Sequence, residues 1–289
     1  MNSRKFFYDE AFSRNIGWIT HHESRVLRTK RIAIAGMGGA GGSHLINLVR
    51  LGVGAFNIAD FDRFELANFN RQVGARMSTL NQPKVSVMAE MALDINPELD
   101  IRIFKEGVLE EKIDSFLDGV DVYVDGVDFF VMDIRRKLYA RCREKGIPVV
   151  IAFPAGMGAA FLVFSPDGMS FEDYFRMGKL PAIDNSFRFM FGLTPARLQF
   201  SYLADRSALK MEDQRIPSTG LACDLCGGAA AAQVLKLLLN RGPIYAAPWY
   251  QQFDLYRCRW VRGRLPFGNH GPLQRMKIWL AKRRPGTGD

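Results

Sequence analysis

Residues Gly36-Met-Gly-Gly-Ala-Gly41 set four glycines around one turn. Such a run lets the chain take positive φ, and the missing Cβ atoms let a phosphate reach the N–H groups that open a following helix. An acid, Asp60, stands about twenty residues on, where a carboxylate accepts hydrogen bonds from ribose hydroxyls. A glycine loop and an acid alone first suggest a nicotinamide dehydrogenase. The residues that follow argue against it. The stretch Asp60-Phe-Asp-Arg-Phe-Glu-Leu-Ala-Asn-Phe-Asn-Arg-Gln72 carries Asp62, Asn68, Arg71 and Gln72, and Lys84 follows in Gln82-Pro-Lys84. Arg and Lys beside a nucleotide loop suit phosphate charge, and a dinucleotide fold needs no such pair there. Asp128, in Val124-Asp-Gly-Val-Asp128, is a carboxylate suited to a magnesium ion bridging phosphates. Together these are the parts of an enzyme acting on a triphosphate.

The pattern around them alternates strand and helix. Arg31 to Ala35 is an apolar run ending in Gly36 and reads as a buried strand; Ala40 to Leu51 reads as a helix stopped by Gly52 and Gly54. Ala55 to Ala59 predicts a second strand, running into Asp60, and Pro83 to Ile95 a helix with proline in its first turn. Leu99 to Phe104, Val120 to Asp125 and Pro148 to Phe153 are further strands, separated by helical stretches at Lys112 to Leu117 and Val131 to Lys145. The class this implies is α/β, a doubly wound, mainly parallel Rossmann-like sheet, with antiparallel strands added in the second half. There, Gly158 to Phe164 predicts a strand and Phe171 to Met177 a short helix. Residues 182 to 220 show no clean period and read as a long crossover, followed by a helix from Ala229 to Asn240. Tyr250 to Trp260 and Val261 to Leu265 suggest an antiparallel edge. No internal repeat and no linker divides the chain.

With these residues in view, the sequence resembles the ThiF/MoeB/HesA family, the bacterial relatives of ubiquitin-activating enzymes. The likeness is carried by Gly36-Met-Gly-Gly-Ala-Gly41, Asp60-Phe-Asp62, Asn68, Arg71-Gln72, Gln82-Pro-Lys84 and Asp128, with Ser13-Arg-Asn15 similar to the family's N-terminal arginine motif. It covers roughly residues 8 to 165 well and the helix at 229 to 241 loosely. The resemblance implies a homodimer that uses ATP and Mg²⁺ to adenylate a substrate carboxylate, releasing pyrophosphate. Gly36, Gly38, Gly39 and Gly41 would hold phosphates and Asp60 the ribose, with Asp62, Asn68 and Gln72 also lining the nucleotide. Arg71 and Lys84 would clamp the triphosphate and Asp128 would position Mg²⁺. Arg14 would reach the phosphates across the dimer interface. The acid would be the C-terminus of a ubiquitin-like carrier protein, a peptide or a small acid. Two other readings stand beside this one: a tRNA-modifying, ATP-dependent dehydratase of the same family, and a nucleotide-binding partner protein without chemistry. The implied organisation is one adenylation domain over 1–270, with a nucleotide half near 30–155 and a crossover and acceptor half near 156–270. Residues 271–289 form a basic tail.

Two departures from the family concern cysteine. Members with structural zinc carry two CxxC pairs, and this chain has only Cys223-Asp-Leu-Cys226, so zinc is not expected. No cysteine stands near residue 213, where some relatives take up the acyl group. Cys223 or Cys226, near a helix start that would lower a thiol pKa, are the substitutes, against a bland reading as small buried residues. Cys142 and Cys258 read as structural. Phe129 follows Asp128 where relatives often have Asn, which points to a more apolar acceptor pocket.

The composition bounds the rest. Thirty-nine Lys and Arg against 30 Asp and Glu give a net charge of +9. Nine of the basic residues and one acid, Asp289, fall in residues 256–289, leaving the body near neutrality. Any tRNA or anionic surface would therefore be met through the tail, where Pro272 to Arg284 predicts a basic helix. Its apolar face would carry Leu273, Met276, Trp279 and Leu280, to pack on its own domain or to dock a partner. No window has the roughly 18 to 20 uninterrupted apolar residues of a membrane span, so an integral membrane protein is not expected. The start, MNSRKFFYDEAFSRN, lacks an apolar h-region, and four scattered cysteines make no disulfide scaffold. The expected setting is cytoplasmic.

Overall fold

Runs rich in Val, Ile and Ala become the centre of the sheet. In the computed structural model, which describes residues 5–283, β1 (Arg31–Ala35), β2 (Ala55–Ala59), β3 (Asp100–Phe104), β4 (Val122–Asp125) and β5 (Val149–Pro154) pair in parallel in the order β3-β2-β1-β4-β5. The antiparallel strands β6 (Gly158–Phe164), β7 (Trp249–Asp254) and β8 (Arg259–Arg264) extend it to eight. Every residue of β1 and β4 is buried, as continuous apolar strands must be when helices cover both faces.

Those helices are α1 (Tyr8–Ala11), α2 (His21–Arg28), α3 (Gly39–Arg50), α4 (Lys84–Ile95), α5 (Ile113–Phe116), α6 (Asp133–Glu144), α7 (Phe171–Phe175), α8 (Ala182–Leu193), α9 (Gly220–Leu239) and α10 (Pro272–Lys282). On one face α3, α4 and α9 bury Leu45, Leu48, Met88, Ala230 and Val234. On the other, α5 to α8 and α10 bury Phe116, Leu138, Phe171, Phe189 and Ile278. β1 has β2 on one side and β4 on the other, so successive connections leave it in opposite directions. That reversal opens a crevice at the carboxyl ends of the strands.

The second half departs from the sequence reading in four places. Residues 182–220 are not all irregular, because Ala182–Leu193 is a helix. Its Phe187, Phe189 and Phe191 are weak helix formers, and burial of Phe189 and Leu193 supplies what propensity lacks. The helix expected from Ala229 begins instead at Gly220. Glycines 227 and 228 disguise it, but a Cβ on Gly227 would lie 2.6 Å from the Asn47 amide and 2.9 Å from the Ser43 carbonyl, so the glycine lets α9 close on α3. At 20 residues α9 is long and apolar enough to cross a membrane by length and composition, yet it packs on α3, β5 and β6. Cys258, taken as structural, is exposed in the β7–β8 turn at φ +49°.

The fourth departure is the tail. The apolar face expected on its helix points to solvent: Leu273, Met276, Trp279 and Leu280 are all exposed. The helix docks through the opposite side, where Gln274 Nε2 donates to the Phe191 carbonyl at 3.0 Å and Ile278 is buried. Lys277 donates to the Pro195 carbonyl and Lys282 pairs with Asp184, so two of its cations serve the domain itself. Arg284, the last residue of the expected helix, lies outside the described residues.

His44 on α3 is fully enclosed between α9 and β5, and among the described residues no hydrogen bond of good geometry reaches either ring nitrogen. Burial pushes its pKa down to about 4, partly offset by the Ala152 and Cys226 backbone. The unfolded chain therefore binds a proton near pH 6.5 that the folded chain refuses until about pH 4. From this group, stability is full above pH 6.5, falls by about 3 kcal/mol as the pH drops to 4, and is level below that. Urea unfolding across pH 4–7 should show this slope in the native protein and lose it in His44→Leu.

Candidate active site

A cleft of about 900 Å³ lies along the carboxyl ends of β1, β2, β4 and β5, closed by the loop after β3 and by residues 214–218 ahead of α9. The glycine loop forms its floor. Gly36 sits at φ +88°, and a Cβ there would collide with the Gly126 carbonyl of the loop after β4. A Cβ on Gly41 would collide with the Gly36 carbonyl. These two glycines thus serve the close approach of chain to chain. Gly38 is the one open to the cleft, and a Cβ on Gly39 would lie 2.6 Å from Cys223 Sγ. Gly38 caps α3 without a side-chain acceptor, so the first N–H groups of this 12-residue helix present partial positive charge to the cleft.

The charged residues surround that helix start. Asp60, at the end of β2, accepts from the Met37 N–H at 2.6 Å and the Asp62 N–H at 2.7 Å, tying the acid to the glycine loop. Burial raises its pKa, and the two amides and Lys84 work against that. Lys84 is buried at the start of α4 with its Nζ 3.0 Å from Asp62 Oδ2. Asp62 therefore holds the lysine while itself lining the cleft. Asn68 is engaged by its own turn, its Oδ1 accepting from the Glu65 N–H. Arg71 Nη1 donates to the Ala67 carbonyl and Asn70 Oδ1, leaving the rest of its guanidinium toward the cleft. Gln72 is buried in the wall, and its Oε1 has no partner among the described residues. A buried acceptor left open beside a helix N-terminus fits a cleft made to be filled by a polar ligand.

The opposite wall rests on residues the sequence reading passed over. Asp125 and Arg135 form an ion pair at 2.8 Å, both essentially without solvent exposure. Arg135 also donates to the carbonyls of Val127 (2.6 Å) and Val131 (3.0 Å), while Asp125 accepts from the Val127 N–H and the Tyr139 hydroxyl. Burial opposes the guanidinium charge, but Asp125 outweighs it and holds the pKa above the usual range. This pair fixes the loop that carries Asp128. Asp128 is exposed at the cleft, with Oδ1 accepting from the Phe130 N–H. No group of three metal-ligating side chains occurs among the described residues. One carboxylate facing a phosphate-sized cleft is nevertheless the donor set Mg²⁺ takes when phosphates and water complete its shell.

Two groups of candidates stand apart. Arg14 is exposed on a short turn and does not line the cleft; its neighbour Asn15 donates to the Arg50 carbonyl, at the far end of α3 from the glycine loop. Cys223 and Cys226 lie within the first two turns of α9, and their thiols are not activated. Burial raises the Cys223 pKa, with Asp224 adding to it and Ser218 and Arg71 only partly offsetting it; burial raises Cys226 much further. The helix-start effect expected for them is outweighed because both are enclosed. Besides Arg135, the cleft gains Arg63 from the loop after β2, and Phe153, Arg215 and Ile216, of which only the strand and the crossover that carry them were readable.

Replacing Arg135 by Met should strand a buried carboxylate and cost about 3–5 kcal/mol in urea unfolding. The double variant Asp125→Leu/Arg135→Met should recover much of that loss, since no charge is then left buried.

Residues 12–270 match the ThiF family. Over 150 residues the chain is 35% identical to the tRNA threonylcarbamoyladenosine dehydratase of Bacillus subtilis, covering 52% of this chain and 57% of that one. Over 164 residues it is 30% identical to the molybdopterin-synthase adenylyltransferase of Haemophilus influenzae, covering 55% and 66%. The match thus spans under two thirds of each relative's length. The fold is that of the crystal structure of Escherichia coli MccB with ATP, at TM-score 0.65 and 18% identity over 92% of this chain and 72% of that chain. Escherichia coli TcdA superposes at TM-score 0.59 and 18% identity, over 80% and 95%. The family match, over a sheet and a glycine loop arranged as the sequence implied, makes this chain a member of the ThiF family.

Proposed function

We propose that the protein is an ATP- and Mg²⁺-dependent adenylyltransferase that activates a substrate carboxylate. The observation that carries this reading is the meeting, at the ends of β1, β2 and β4, of an uncapped helix start, the Lys84–Asp62 pair and the outward carboxylate of Asp128. The helix N–H groups and Arg71 would take phosphate charge, and Asp60, at the end of β2, the ribose. Lys84, held by Asp62, would meet the negative charge that grows as the bond to the leaving pyrophosphate breaks. Mg²⁺ at Asp128 would neutralise phosphate oxygens. A carboxylate oxygen attacks the α-phosphorus, pyrophosphate departs, and an acyl-adenylate remains, with no protein nucleophile needed. The raised thiol pKa values of Cys223 and Cys226 favour a route without an acyl-cysteine.

A homodimer belongs to this proposal. Within one chain Arg14 lies beyond the far end of α3, roughly 18 Å of helix from the glycine loop, so its service to phosphate requires a second copy. A second reading, ATP-dependent modification of a tRNA-borne carboxylate, draws on the Bacillus subtilis dehydratase and on the exposed edge strand. There Arg259, Arg262 and Arg264 flank exposed Trp260, and none of the three has an acidic partner among the described residues. Nuclease-sensitive copurification of tRNA would support it.

The purified protein should exchange labelled pyrophosphate into ATP in the presence of Mg²⁺ and an acid. Lys84→Ala and Asp128→Ala should each lower kcat roughly 10²- to 10³-fold. An Arg14→Ala homodimer should be similarly impaired, while mixing it with Lys84→Ala should restore part of the activity, because a mixed dimer holds one complete site.

A further inference from the structure

The cleft has two ends of different chemistry. Its floor follows the strand order β2-β1-β4-β5, so Asp60 at the end of β2 and Phe153 near the end of β5 stand three strands apart, roughly 14 Å at the usual spacing. The β2–β1 end is charged: Asp60, Asp62, Arg71 and Lys84 gather there. Past Asp128 the lining becomes Phe129, Phe130, Phe153, Pro154 and Ile216, with Gln214 and Arg215 bordering it from the crossover.

This apolar end is built rather than incidental. Phe129 is 7% exposed, with ring centroids 4.8 Å from Phe130 and 5.3 Å from both Phe153 and Phe189. Its neighbours on either side, Val127 and Val131, have their carbonyls held by Arg135, so the wall does not swing aside. Phe153 and Ile216 remain half-buried, their free surface turned to the cleft. Thr219 Oγ1 donates to the Gly156 carbonyl at 3.1 Å, which keeps the crossover beside the β5–β6 turn.

We infer that the acid activated here carries a bulky apolar group next to its carboxylate, of leucyl or phenylalanyl size, and is not the bare diglycine end of a carrier protein. The inference rests on the adenylation reading above. A diglycine tail is all backbone: it would lay polar amides on phenyl rings and bury no side chain against them. A branched or aromatic side chain covers Phe153 and Ile216, and a pocket of this kind discriminates roughly tenfold to a hundredfold between acids differing in that group.

Binding without turnover tests it. Calorimetry with 5′-O-sulfamoyladenosine and its N-glycylglycyl, N-leucyl and N-phenylalanyl derivatives should show the last two binding at least tenfold more tightly than the glycylglycyl compound. That preference should collapse in Phe153→Ala and, in a variant outside the sheet, in Ile216→Ala, while affinity for the parent sulfamoyladenosine stays the same. Equal or tighter binding of the glycylglycyl derivative overturns the inference, as does a preference that survives both substitutions. If the parent binds and no acyl group adds affinity, the inference falls and the nucleotide reading stands. If not even the parent binds, the adenylation reading itself falls and takes the inference with it.

Discussion

One wall of the cleft depends on a charge pair that is costly to bury. Asp125 and Arg135 sit out of water, where removing two ions from solvent offsets most of their attraction, so the pair is weak evidence of net stability. Its contribution is position. A planar guanidinium with five donors can hold a carboxylate and backbone carbonyls at once, and here it gathers those of Val127 and Val131 around it. Asp125 meanwhile takes the Val127 N–H and the Tyr139 hydroxyl. The segment 126–131 is thereby fixed from inside the protein, and Asp128 and Phe129 face opposite duties from one rigid loop. Because a Cβ on Gly36 would strike the Gly126 carbonyl, that loop also sets how near the glycine turn stands to the wall.

A second constraint acts at the charged end. Lys84 could have been a free cation, and a buried free ammonium would have been expensive. Asp62 stabilises it in place, and the main chain reinforces the pairing, since the Lys84 N–H also donates to the Asp62 carbonyl at 2.9 Å. Asp60 performs a similar service for the glycine turn through Met37. The groups that would meet phosphate are thus oriented before any ligand arrives, which is the condition under which electrostatic stabilisation acts without reorganisation.

What could be read from the sequence follows from which interactions are local. The glycine turn, the acid closing β2, the proline opening α4 and the apolar strands of the parallel sheet each leave a short pattern, and the structure puts all of them where the pattern implied. Arg135 left none: ten residues from Asp125 in a basic helix, it looked like one more solvated charge until the fold enclosed it. α8 was hidden because tertiary burial of aromatic residues, not propensity, makes it helical. The tail helix misled through its moment. Its docking side is chosen by a buried Gln274 that satisfies the end of α8, an interaction no count of apolar residues reveals. The thiols misled by sequence position alone, since proximity to a helix start lowers a thiol pKa only where the sulfur is not desolvated.

The two ends of the cleft are joined by one piece of chain. Residues 214–218 border the apolar end, and four residues after Ile216 the chain enters α9, whose Cys223 packs against Gly39. Between them, Asn70 donates to the Ser218 carbonyl at 2.9 Å, and a Cβ on Gly220 would lie 2.9 Å from the Asn70 carbonyl, immediately before Arg71. Thr219 adds its bond to Gly156 in the β5–β6 turn. Residues 218–223 therefore touch the glycine turn, the turn that carries Arg71 and the β5–β6 turn through contacts too close for any of them to shift alone. Packed interiors respond to such displacement as units rather than by local give. A side chain settling against Ile216 and a phosphate settling against the start of α3 would thus press on the same short segment from its two sides.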